Sequence, residues 1–73
     1  MNLEEMLSSW LNLNTALRMA TEEECIKLLA HEKTASRRAQ FMLRIYGKLN
    51  QLRSAREREE LLLLAHERRP SNA

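Results

Sequence analysis

Cys25, His31 and His66 are the residues of this chain best suited to nucleophilic or metal chemistry. A thiolate beside an imidazole can attack a carbonyl, and both side chains ligate zinc. Either use needs company: an orienting group and an oxyanion site for a nucleophile, four ligands at short repeated spacings for a structural metal. The sequence offers one cysteine, two widely separated histidines and no aspartate, so no ligand spacing can be assembled. The lone Gly47 cannot form the glycine-rich loop that cradles phosphate. Structural roles are therefore assigned to all three, and neither catalysis, a metal nor a cofactor is expected.

The other chemistry on offer is electrostatic. The stretch RRAQFMLRIYGKLNQLRSAR, residues 37–56, carries six cations and no carboxylate. Arg37, Arg38, Arg44, Lys48, Arg53 and Arg56 are candidates for contact with nucleic-acid phosphate or an acidic protein surface. A solvated helix face is the plainer explanation, but such a face usually intersperses glutamates that pair with cations at i, i+4. Residues 1–36 hold six glutamates against three cations, and residues 37–69 hold nine cations against four glutamates. That dipolar layout, with a formal net charge of only +2, suits a composite surface better than indiscriminate coating of nucleic acid.

Four segments must position these groups. Leu3, Met6, Leu7, Trp10, Leu13 and Leu17 follow helical spacing and predict a first amphipathic helix, opened by an Asn2–Glu5 capping box. TEEE at 21–24 predicts a second: Thr21 caps, Glu24 reaches back, and three carboxylates sit at the positive end of the helix dipole. Cys25, Ile26, Leu28 and Leu29 form its inner side. KTAS supplies a break, with Ser36 as candidate cap of a third helix. There Phe41, Met42, Ile45, Tyr46, Leu49 and Leu52 share an arc of roughly 140°, with Arg37, Arg44 and Lys48 along one edge. Trp10 and Tyr46, both on apolar arcs, are expected in the core. SARE at 54–57 leaves open whether a fourth helix starts at Ser54 or the third continues.

The leucines at 61–64 point around the whole helix, so one core face cannot cover them; another helix, a second copy or a foreign partner must. Met6 and Leu63 are candidate apolar contacts for such a partner. Pro70 ends helical structure, giving one helical domain over residues 1–69 and a disordered tail over 70–73.

A chain of 73 residues with 14 leucines, one Gly and one Pro predicts an all-α fold, a small bundle of three or four helices around a thin core. So short a chain supports no large catalytic cavity. The single cysteine excludes an intrachain disulfide and fits a reducing compartment, and no apolar run nears the roughly 18 residues that span a bilayer. Glu4 and Glu5 stand where a signal peptide carries positive charge, so a soluble intracellular protein is expected. Two helices separated by TAS, with Arg37, Arg38 and Gln40 opening the second, also allow a helix-turn-helix that binds DNA.

Taken over its whole length, the chain resembles the small transcription regulators of lytic Xanthomonas phages. The likeness is carried by the opening MNLEEMLSSWLNL, the body TEEECIKLLAHEKTASRRAQFMLRIYGKLNQLRSARERE and the end RRPSNA. It implies a viral protein working in the cytoplasm of its bacterial host. It further implies binding to the host RNA polymerase at the N-terminal region of the β′ subunit, near the RNA exit channel. Initiation at host promoters is then inhibited, and elongating polymerase passes terminators. The implied fold is compact and helical, homeodomain-like. The cations of residues 37–56 would then meet emerging RNA or upstream DNA. A helix-turn-helix DNA binder and a self-associating helical scaffold are the alternatives.

Overall fold

The computed structural model describes residues 2–68, so the tail expected over 70–73 lies outside the described residues. It is all-α: α1 (Leu3–Met6), α2 (Trp10–Leu17), α3 (Glu22–Thr34) and α4 (Ala39–Arg68), with no strand among the described residues.

The first amphipathic stretch is two helices, not one. The Asn2–Glu5 capping box forms as expected, with Asn2 Oδ1 accepting from Glu5 N at 2.8 Å. After Met6 the serines intervene. Ser8 Oγ donates to the Glu5 carbonyl at 2.6 Å, and Ser9, in extended conformation, accepts from Asn12 N at 3.1 Å and caps α2. These short side chains offer the backbone partners that compete with helix continuation. The break folds α1 back so that Leu7, Leu13 and Leu17 all reach the core.

The Thr21–Glu24 box closes α3 as expected, with Thr21 N donating to Glu24 Oε1 at 2.9 Å. Cys25 and Leu28 are fully buried and Leu29 packs against them, whereas Ile26 is half exposed, one step too far round the helix. Burial raises the Cys25 thiol pKa above its ordinary value, with Glu24 and Glu22 adding to the rise against Lys48. The thiol is kept protonated and inert.

The α3–α4 connection does not use Ser36 as a cap. Arg37 N donates back to the Glu32 carbonyl at 2.9 Å, Arg37 itself sits at φ 51°, and the first helical bond of α4 runs from Met42 N to the Arg38 carbonyl at 3.0 Å. A non-glycine residue in the left-handed region is held there by its surroundings, here the tie to Glu32 and an Nε donation to the Lys33 carbonyl at 3.0 Å.

From Ala39 the chain stays helical for 30 residues, straight through SARE, so Ser54 is an interior helical residue. At 1.5 Å per residue α4 is about 45 Å long, and it dominates an elongated molecule of 56 × 19 × 15 Å. Phe41, Ile45 and Leu49 enter the core and Leu52 packs on its edge. Tyr46, expected inside, is 52% exposed; Trp10 is 45% exposed, its ring meeting Phe41 edge-on at 5.5 Å.

Candidate interaction surfaces

Three of the cations of residues 37–56, Arg38, Arg44 and Arg56, have partners that sequence spacing does not show, because those partners lie on other helices. Glu32 is 1% exposed and receives Arg38 three times: from its backbone N (2.9 Å), Nε (2.9 Å) and Nη2 (2.8 Å). The same Nη2 donates to the Leu7 carbonyl at 2.8 Å, and the guanidinium carbon lies 3.5 Å from the Phe41 ring centroid. Arg38 thus joins the end of α1, α3 and the start of α4. Hydrogen bonds from Arg38 hold the Glu32 carboxyl below its ordinary value despite burial, and in return raise the pKa of Arg38. Arg38 is a structural hub whose charge is met by Glu32.

At the other end of α3, Arg56 Nε donates to Glu22 Oε2 at 2.7 Å, with a looser contact to Glu60 at 3.4 Å. Arg44 Nε donates to Asn14 Oδ1 at 2.7 Å, tying α4 to α2. The glutamates missing from the basic stretch are supplied across the helix pair, and Glu22, Glu32 and Asn14 are partners that sequence reasoning missed. An acidic helix start followed by a basic helix at hairpin distance was the signal available.

The two α3–α4 ties also fix how these helices lie. Glu22 is about 15 Å along α3 from Glu32, and Arg56 about 27 Å along α4 from Arg38. A near-perpendicular helix-turn-helix crossing would separate Glu22 from Arg56 by roughly 30 Å, beyond the reach of their side chains. Their 2.7 Å bond requires the helices to run side by side as an antiparallel hairpin.

Of the six cations, Arg37, Arg44, Lys48 and Arg53 make no ion pair among the described residues, Arg44 being held by the neutral Asn14 amide. Arg44 and Lys48 share an edge of α4, roughly 40° apart, whereas Arg37, expected on that edge, is in the connection, and Arg53 lies roughly 140° around α4 from Lys48. The apolar candidates are also distant from each other. Met6 is half-buried against the core, at the end of the molecule where Arg38 meets the Leu7 carbonyl, whereas exposed Leu63 is far along α4.

Past the Arg56–Glu22 pair every residue through Glu67 is exposed, including all four leucines of 61–64. These divide by direction. Leu63 is in angular line with Ile45, Leu49 and Leu52, all within roughly 60°, with Arg56, Glu59 and Glu60 on that side between Leu52 and Leu63, and Leu62 is on the adjoining flank above a shallow groove with Ser54, Ala55, Arg58 and Glu59. Leu61 and Leu64 face the other way. No helix of the described residues is long and apolar enough to cross a membrane.

No protein-family profile, curated protein or solved structure matches the chain.

Proposed function

We propose that this chain is a non-enzymatic docking protein that binds bacterial RNA polymerase near the N-terminal end of β′, at the RNA exit channel, inhibiting promoter initiation and causing antitermination. The identity of the partner rests on the resemblance to the Xanthomonas phage regulators. The observation that supports a docking role is the run of four exposed leucines at 61–64 on the part of α4 that projects past the Arg56–Glu22 pair. A helix from the partner laid against Leu62 and Leu63 would continue the bundle and remove those leucines from water, at about 25 cal/mol per Å² of apolar area. Arg38 and Arg56 are already paired within the fold, so protein contact leads and phosphate contact is left to Arg37, Arg44, Lys48 and Arg53. A folded wedge at the channel mouth acts by occupying the space in which a terminator hairpin forms, and no bond chemistry is required.

The test is retention of purified Xanthomonas RNA polymerase on the immobilised chain. Retention is expected for the native sequence and loss for the Leu62→Glu, Leu63→Glu double variant. If the native chain does not retain the enzyme, the proposal fails.

A further inference from the structure

The outer side of α4, roughly 130° around the helix from its core stripe, is apolar at both ends and charged in the middle. Leu43 (68% exposed) and Tyr46 (52%) form one apolar end, and Leu61 (66%) and Leu64 (54%) the other. Between them Asn50, Arg53 and Glu57 fall on the same side, and neither Arg53 nor Glu57 has an ion pair among the described residues. The spacing is symmetric: Leu43 and Leu64, like Tyr46 and Leu61, are equally far from a point between Arg53 and Ser54.

The geometry points to a second copy of this chain as the occupant of this face, with the two α4 helices antiparallel and a twofold axis beside Arg53 and Ser54. In that register Leu43 of each copy meets the other's Leu64, and Tyr46 meets Leu61. Glu57 comes level with the opposing Asn50, whose amide can donate to it, and within one turn of the opposing Arg53. Parallel pairing in register would match the leucines too, but it would set Glu57 against Glu57 as well as Arg53 against Arg53. The antiparallel register keeps the two Arg53 side chains close at the twofold axis, but it moves the Glu57 pair about 10 Å apart along the seam and brings each Glu57 within one turn of the opposing Arg53. Charge therefore favours the antiparallel orientation, and a polar centre between apolar ends fixes register as buried polar positions do in coiled coils. The helical bundle of each copy is on the far side of its α4, leaving the seam open along about 31 Å between residues 43 and 64. A seam of that length buries on the order of 1,000 Å² in total, the low end for specific association, so a reversible dimer of about micromolar affinity or weaker is expected.

This surface is separate from Leu62 and Leu63, shares only Arg53 with the cations left for phosphate, and does not depend on the polymerase reading. Sedimentation equilibrium of the full chain, from about 1 to 500 µM, is expected to show reversible dimerisation in that range. Glu57→Arg should weaken it at least tenfold and Arg53→Glu with Glu57→Arg should restore it, while Leu63→Glu leaves it unchanged. Mixing Leu43→Cys chains with Leu64→Cys chains under mild oxidation should give mostly the mixed disulfide. All these positions are exposed, and circular dichroism of each variant is the check that it is folded. A monomer throughout the range, or crosslinking of Leu43→Cys to itself as readily as to Leu64→Cys, would overturn the inference.

Discussion

The pair that decides most at the level of single residues is Glu32 with Arg38, a buried carboxylate held by a forked guanidinium. Replacing Glu32 with Gln keeps the shape but leaves the guanidinium and its neighbours poorly matched; a loss of about 2–3 kcal/mol is expected in urea unfolding. The carboxyl pKa is lowered in the folded chain relative to an ordinary value of 4.5. Its contribution is thus fully present above about pH 4.5 and is lost as pH falls through the folded value. Unfolding midpoints at pH 7 and pH 3 should differ less for Glu32→Gln than for the native chain. Gly47 is the opposite case. It sits in the exposed interior of α4, and an added Cβ would meet nothing within 4 Å. Gly47→Ala is expected to stabilise by about 0.5–1 kcal/mol, read as a higher thermal midpoint. At Arg37 the left-handed backbone makes alanine a poor probe of charge, because it would add strain of its own. Asparagine, which tolerates that conformation, is the substitution that isolates the cation.

Among the elements, the caps show which serines and threonines do structural work. Ser9 and Thr21 each accept from a backbone N–H in the first turn of a helix, so Ser9→Ala and Thr21→Ala should each cost about 1 kcal/mol in chemical denaturation. Ser36 precedes α4 without capping it and Ser54 is inside it; alanine at either is expected within about 0.5 kcal/mol of the native chain. A large loss at Ser54 would mean that α4 is interrupted there. Asn2 and Glu5, Thr21 and Glu24 were readable because a capping box is a local pattern of four consecutive residues. The start of α2 was not, because the apolar spacing runs unbroken across Ser8 and Ser9 while hydrogen bonds to Glu5 and Asn12 end the helix beneath it.

For the whole molecule, the end of α4 that projects past Arg56 has no part in the core. Leu63→Glu should therefore leave the unfolding midpoint unchanged, within about 0.5 kcal/mol, while abolishing polymerase retention. A stability loss would mean that this leucine is covered within the chain. Exposed ion pairs such as Arg56–Glu22 add little to stability, but a closely matched pair between helices still sets their alignment. Salt should accordingly weaken partner binding more through Arg37, Lys48 and Arg53 than through Arg38, whose charge is already met by Glu32.

Helical class, two capping boxes and the apolar arc of Phe41, Ile45, Leu49 and Leu52 all followed from sequence, since each depends on neighbours within one or two turns; that no helix of the described residues covers the leucines at 61–64 did not. Tertiary structure alone decided what the basic stretch does. Whether Arg38 faces solvent or Glu32, and Arg56 solvent or Glu22, depends on which helix lies alongside, and a contact between residues brought together by a hairpin leaves no periodic trace in either helix. The same holds for Tyr46 and Ile26: each sits at the margin of an apolar arc, and only the width of the neighbouring helix determines whether such a margin is covered.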